Sequence, residues 1–227
     1  MIILTCALLG VALGPGFAGL TRVLADRPAT RADILDGYRR LGGREVICAA
    51  ATAGLFAIAG ARWGWNFRLA PYLVLFAVSL LFSVIDLERY LIPNRLLVPT
   101  LYLSGALMAV TSLLDGSPSA LLRALAGASL FFLIMFMFHL LNPAGLGLGD
   151  VKLAFLLGLF LGWAGGSIGP SLRLTVYGLF FGSLLGSFVG VGKLLIVRKR
   201  GQHFPYGPSL CAGTLITLVA ATSLLGS

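Results

Sequence analysis

Two carboxylates, Asp86 and Asp150, are the residues of this sequence best suited to do chemistry. Only eight of the 227 residues are acidic. Asp86 ends a long apolar segment and Asp150 begins another, whereas the remaining acidic residues have ordinary explanations as solvated ion pairs, a turn residue or an interfacial charge: Asp26, Asp33, Asp36, Glu45, Glu88 and Asp115. Two carboxylates held close together cannot both ionise cheaply, so they share a proton. Such a pair can activate water for attack on a peptide carbonyl.

Each of the two aspartates also has a structural interpretation. Asp150 stands just before an apolar segment, where a helix N-cap is favoured. Asp86 lies near the end of a segment, where a negative charge opposes the helix dipole, and a local ion pair with Arg89 would offset that cost. The residues alone leave these alternatives open.

The elements that must position the pair are membrane helices. Charged residues make up 11% of the chain and the mean hydropathy is +0.97, whereas a soluble domain carries about 25% charged residues. A span needs about 20 apolar residues, and lipid forces its backbone into a helix. We therefore predict an all-α, polytopic membrane helix bundle of about eight transmembrane helices, forming a single integral membrane domain over residues 1–227. The predicted spans are 2–24, 46–61, 69–85, 95–114, 119–141, 151–164, 174–197 and 209–226, and the first is expected to be retained rather than cleaved as a signal peptide.

The arginines and lysines predict the orientation of these spans. Twelve of the 17 lie in odd-numbered loops, including Arg198, Lys199 and Arg200, and three lie in even-numbered loops. Cytoplasmic loops carry this excess, so the odd loops are expected in the cytoplasm. Two crossings separate Asp86 from Asp150, which places both carboxylates at the cytoplasmic face. The net charge of +9 is explained by topology and anionic lipid headgroups, and no nucleic-acid partner is expected.

Two glycine patterns accompany the carboxylates. The run Gly145-Leu-Gly-Leu-Gly149 lacks the lysine of a phosphate-binding loop, and its glycines are expected to let the backbone approach a helix or an extended peptide closely. In the seventh span, glycines recur every fourth residue and predict a close helix-packing seam. That seam is expected inside the bundle, with a homodimer interface as the alternative. The four glycines are Gly178, Gly182, Gly186 and Gly190.

At these residues the sequence resembles the type IV prepilin peptidase family of membrane aspartic proteases. Asp86 is followed six and seven residues later by Ile92 and Pro93, as in that family. A Gly-x-Gly-Asp-x-Lys-Leu signature matches Gly147 to Leu153, and the run 206–213 is similar to a third family feature, Phe-Gly-Pro-x-Leu-x-x-Gly.

The resemblance implies an aspartic endopeptidase that cuts the basic leader from prepilins or pseudopilins at the cytoplasmic membrane face. It implies catalytic roles for Asp86 and Asp150. Pro93, Gly147 and Gly149 would shape the site, as would Lys152. The implied location is the bacterial cytoplasmic (inner) membrane, and the implied partners are the N-terminal segments of prepilins together with membrane lipids.

One departure from the family concerns the cofactors. Many members also N-methylate the product with S-adenosylmethionine and carry paired Cys-x-x-Cys motifs in the first cytoplasmic loop, but residues 26–45 contain no cysteine. We therefore expect a short member without the cysteine zinc module, without a metal, and with S-adenosylmethionine only if methyl transfer is retained. The chain's three cysteines are expected to be small buried residues: Cys6, Cys48 and Cys211.

Two other classes of function compete with the protease. A proton-coupled transporter or channel could use the same carboxylates, although neither carboxylate lies near the middle of a span. An inactive scaffold could retain the motifs for packing alone. The protease interpretation requires the two aspartates to meet at one membrane surface.

Overall fold

Most of the described chain is helical. A computed structural model describes residues 1–24, 26–39, 42–143, 145–197 and 205–225, and these contain no β-strand. Arg198, Lys199 and Arg200 lie outside the described residues. The helices are α1 Ile2–Val23, α2 Arg31–Arg39, α3 Gly43–Trp63, α4 Leu69–Arg89, α5 Asn94–Leu114, α6 Ser119–Leu141, α7 Leu148–Ala164, α8 Ile168–Val197, α9 Gly207–Val219 and α10 Ala221–Leu225.

The prediction of a polytopic helix bundle is confirmed. Six helices of the described chain are long and apolar enough to cross a membrane: α1, α3, α4, α5, α6 and α8. The other two predicted spans are also helical but shorter. Residues 151–164 lie in α7, which has 17 residues, and the described part of 209–226 is divided between α9 and α10 at Ala220.

The described chain forms two compact units. Unit 1 comprises Met1–Ile85 and Pro93–Thr111, and unit 2 comprises Asp86–Ile92 and Ser112–Ser227. The single peptidase domain over residues 1–227 stays a prediction. Because unit 2 contains Asp86 and Asp150 together, it is the unit in which the candidate site lies.

In unit 1, glycines bring α1 against α3. A methyl group on Gly10 would lie 2.6 Å from the Cα of Ala53, and one on Gly14 would lie 2.3 Å from the Cα of Ala49. Real Cβ atoms do not approach backbone so closely, so only glycine permits this packing. In lipid, small residues of this kind allow the van der Waals contact that holds helices together.

The first basic loop contains a helix and a buried ion pair, and not only solvated ion pairs. Part of it forms α2, and Arg22 pairs with both Asp36 and Glu45. Glu45 is buried, and its carboxylate also accepts a hydrogen bond from the N–H of Gly42 at the start of α3. The expectation that Glu45 is a solvated charge is therefore wrong, because Arg22 and the helix start together satisfy its carboxylate inside the fold.

The ion pair between Arg27 and Asp33 is expected to change the titration of the Asp33 carboxyl group measurably. Two hydrogen bonds from Arg27, with others from Thr30, hold the pKa of Asp33 well below its ordinary value. A lowered folded-state pKa contributes stability above the ordinary pKa, and this contribution is lost as the pH falls through the folded-state value. We expect Arg27→Gln to raise the pKa of Asp33 toward about 3.9, as measured by ¹³C NMR of the carboxyl carbon. The control is Arg31→Gln. Arg31 is exposed in α2, the helix that also contains Asp33, and its replacement should leave the pKa of Asp33 low.

In unit 2, glycines bring α7 against α6. A methyl group on Gly158 would lie 2.6 Å from the carbonyl oxygen of Gly127, and one on Gly162 would lie 2.3 Å from that of Arg123. Gly158 and Gly162 are four residues apart and therefore share one face of α7. This face fixes the helix that carries Asp150.

The glycines of α8 face other helices of the same unit. A methyl group on Gly178 would meet Leu161 of α7, one on Gly182 would lie 3.1 Å from the Cα of Leu210 in α9, and one on Gly186 would meet the ring of Tyr206. Gly190 has open space beside it. Three of the four predicted seam positions therefore pack inside unit 2.

Candidate active site

Asp86 lies in the last turn of α4. Its side chain is buried, and the residue is 4% exposed. The helix ends at Arg89, and Tyr90 adopts a left-handed conformation with φ of 56° while its N–H donates to the carbonyl of Asp86. A non-glycine residue in this conformation is uncommon and is found most often at turns and functional sites. The turn at Tyr90 ends α4 and leads the chain from Asp86 to Ile92.

The carboxylate of Asp86 is hydrogen-bonded to a backbone amide far along the sequence. Its Oδ2 accepts from the N–H of Gly207, with a distance of 2.9 Å between nitrogen and oxygen. Gly207 is the first residue of α9, whose N-terminal amides have no partner within the helix. The bond therefore satisfies both a buried carboxylate and a helix start.

Asp150 is the third residue of α7. The N-cap is Gly147, with extended backbone angles, so the interpretation of Asp150 as an N-cap is wrong. The Asp150 carboxyl group instead receives a backbone hydrogen bond from Gly147. Its Oδ1 atom is buried and has no hydrogen-bond partner among the described residues, which leaves that atom available to a water molecule, a shared proton or a substrate.

Ile92 joins the segments that carry the two aspartates. A methyl group on Gly149 would lie 3.2 Å from the Cβ of Ile92, and one on Gly207 would lie 3.4 Å from its Cδ1. The segment 86–92 and the starts of α7 and α9 therefore meet around one buried side chain.

The glycine-rich loop before α7 is held by the end of α6. His139 Nδ1 lies 2.7 Å from the carbonyl oxygen of Leu146, and because a carbonyl can only accept, Nδ1 carries the proton. The side-chain oxygen of Asn142 accepts from the N–H of Gly145. These two contacts fix the approach of the chain to Gly147 and hence to Asp150.

The structure brings some of the predicted site residues together and leaves others apart. Gly147 caps the helix of Asp150, and Gly149 contacts Ile92. Lys152 lies one residue beyond Val151 with an exposed side chain. Pro93 belongs to unit 1, where its carbonyl accepts from the amides of Leu96 and Leu97 at the start of α5.

The cysteines do not fit a zinc module. Cys6, Cys48 and Cys211 are buried in α1, α3 and α9, and a four-thiolate site needs one more cysteine than the chain contains. Within the described ranges, no three His, Cys, Asp or Glu side chains are grouped as a metal site would require.

Gly207 is a site residue for which the sequence analysis predicts no chemical role. A backbone amide has no side-chain signature, so residue types alone cannot identify it as a donor. The signal was the run from Tyr206 to Gly213, which resembled a family feature without an assigned function. Of its first two residues, Gly207 donates to Asp86 and Tyr206 contacts Ser183 and Gly186 of α8.

The arrangement defines a multi-pass membrane protein with two buried carboxylates at one site. The profile of the type IV leader peptidase family matches residues 73–191, which include both aspartates. The chain belongs to the type IV leader peptidase family.

Curated relatives carry the name prepilin leader peptidase/N-methyltransferase. The protein from Bacillus subtilis is 31% identical over 77% of this chain and 65% of its own length. The protein from Aeromonas hydrophila is 34% identical over 71% of this chain and 52% of its own, and that from Neisseria gonorrhoeae is 29% identical over 76% and 56%. The chain thus spans between about half and two thirds of these relatives. No solved structure matches it.

Proposed function

We propose that this protein is a membrane-embedded aspartic endopeptidase that cleaves the leader from prepilins or pseudopilins. The observation that carries the proposal is the grouping of the Asp86 segment and the starts of α7 and α9 around Ile92 in unit 2, with Asp150 Oδ1 buried and without a hydrogen-bond partner among the described residues. Membership of the leader peptidase family supports the substrate class, because the relatives are named as prepilin leader peptidases.

The chemistry follows from one proton shared by two carboxyl groups. The ionised carboxylate removes a proton from a water molecule while the water oxygen attacks the carbonyl carbon of the scissile peptide. The protonated carboxyl group donates its proton to the carbonyl oxygen. The tetrahedral intermediate then collapses and the C–N bond breaks: the protonated carboxyl group gives its proton to the leaving amine, and the other carboxylate removes a proton from a hydroxyl group of the intermediate, so that the pair again holds one proton.

The residues next to the aspartates help to position the two carboxyl groups. Gly147 bonds to the Asp150 carboxyl group, and Gly149 leaves room for Ile92. Pro93 and Lys152 stay proposed site-shaping residues, the first through the chain after Ile92 and the second as a cation near the start of α7. No metal or other cofactor takes part in the proposed peptide cleavage.

The proposed location is the bacterial inner membrane, with the site open to the cytoplasm. The support is the distribution of lysine and arginine, which favours cytoplasmic odd-numbered loops. Substrate leaders would reach the two aspartates from that side. A transporter would require carboxylates along a path through the membrane, whereas Asp86 and Asp150 belong to the last and first turns of their helices.

The test is cleavage of a prepilin by the purified full chain in detergent or proteoliposomes. We expect one new N-terminus at the end of the leader, identified by sequencing the product. Mass spectrometry of the same product separates a free amine from a methylated one when S-adenosylmethionine is added, and we expect the free amine. An intact prepilin after prolonged incubation with well-folded protein would exclude the proposed activity.

A further inference from the structure

The start of α9 is the element of the site whose role neither the family motifs nor the carboxylate chemistry assigns. Gly207 donates its N–H to Asp86 Oδ2 across 121 residues of sequence. A methyl group on Gly207 would lie 2.8 Å from that oxygen. The residue thus supplies a donor and also the space that the carboxylate occupies.

We propose that the Tyr206–Gly207 pair is a positioning element for Asp86: the amide of Gly207 holds the carboxylate in its working orientation, and Tyr206 holds that amide in place. The inference rests on the proposed peptidase function and deepens it. It adds a backbone group to a mechanism otherwise carried by two side chains.

The bond is of a strong kind. A hydrogen bond to a charged group is stronger than one between neutral groups, and preorganised donors in an active site need no rearrangement during the reaction. The amide belongs to the first turn of a helix, where negative charge is favoured. Leu210 closes that turn by donating to the carbonyl of Tyr206, so the turn itself is formed.

Tyr206 anchors the turn to α8. Its hydroxyl group donates to Ser183 Oγ at 2.8 Å, and its ring lies against Gly186, where a methyl group would be 2.5 Å from a ring carbon. Gly186 in the glycine seam of α8 therefore matters for the site. It leaves room for the ring of Tyr206, the residue directly before the donor Gly207.

The first experiment replaces the amide of Gly207 by an ester, with glycolic acid incorporated at position 207 of the full chain. This change removes the N–H and adds no atoms that could clash. We expect kcat for prepilin cleavage to fall about 10- to 100-fold with KM unchanged, because the substrate still binds. The matched control is the same replacement at Gly213, inside α9, which should leave kcat unaltered.

The second experiment tests the anchor with Tyr206→Phe, Ser183→Ala and the double variant. Each single change breaks the same hydrogen bond, so we expect each to lower kcat severalfold at constant KM and the double variant to be no worse than either. Ser187→Ala is the control, because that exposed hydroxyl group donates only to the carbonyl of Ser183 in its own helix.

The outcomes separate this inference from the function on which it rests. If the wild-type chain leaves prepilin uncleaved, the proposed function fails. If the wild type cleaves and the ester at Gly207 keeps the full kcat, the positioning role is wrong while the peptidase stands. Should the ester variant not fold, fully additive losses in the Tyr206 and Ser183 variants, or none, would overturn the inference.

Discussion

Replacing Asp86 or Asp150 with Asn is expected to lower the rate of prepilin cleavage by at least about 10²- to 10⁴-fold. An amide can neither take a proton from water nor hold the proton that the pair shares, so each single change removes the chemistry. The Asn oxygen at position 86 can still accept from the amide of Gly207, so the local geometry has a satisfied form. Initial rates of product formation, compared at equal amounts of folded protein, measure the effect.

The matched control for these variants is Glu88→Gln. Glu88 stands two residues after Asp86 at the exposed end of the same helix, and its replacement removes an equal charge. We expect it to keep the wild-type rate. Because residues that act as one unit give non-additive losses, the double Asp variant should be no slower than either single variant. Full cleavage by one of the single Asn variants would exclude the two-carboxylate mechanism.

Much of the fold follows from the sequence because lipid leaves few choices. The described residues of all eight apolar segments are helical apart from Leu24 and Ala220, since a backbone in hydrocarbon must bond to itself. The even number of crossings between the two aspartates predicts one membrane face for both, and the structure groups their segments in one unit around Ile92. Segment length was less informative, since α7 and the region after Gly207 are shorter than the helices that qualify as spans.

Other features depend on contacts that residue types do not encode. The buried Glu45 reads as one more charge in a basic loop until Arg22 is placed beside it. The N-cap of α7 falls on Gly147 because backbone angles, and not side-chain type, decide where that helix begins. The donor to Asp86 is a backbone N–H, and every residue except proline carries one.

The glycine pair of α7, Gly158 and Gly162, also shows how little glycine spacing says about close packing. The glycine seam of α8 is conspicuous in the sequence because four glycines repeat every fourth residue, yet Gly190 has open space beside it. The pair Gly158 and Gly162 is less conspicuous in sequence, but each approaches backbone atoms of α6 more closely than any Cβ could. Spacing identifies the face of a helix, and only the neighbouring helix determines how tightly that face is packed.

Gly158→Leu is therefore expected to destabilise the protein by about 3 kcal/mol or more, at the upper end of overpacking costs. Its Cβ would lie 2.6 Å from the carbonyl oxygen of Gly127 and 2.8 Å from the Cα of Ala128. Both are backbone atoms of α6, so no side chain can rotate away, and the two helices must separate. Unfolding of the purified protein in mixed micelles, followed by circular dichroism against denaturing detergent, measures the loss.

Gly54→Leu separates this effect from the general cost of a large residue in a helix. Gly54 is exposed in the interior of α3 with nothing near its Cβ position, and leucine has the better helix propensity by about 0.8 kcal/mol. We expect that variant to be as stable as the wild type or slightly more stable. Because α7 carries Asp150 two turns before Gly158, the displaced helix should also lose cleavage activity. Equal stability of the two leucine variants would show that α6 and α7 do not pack through these glycines.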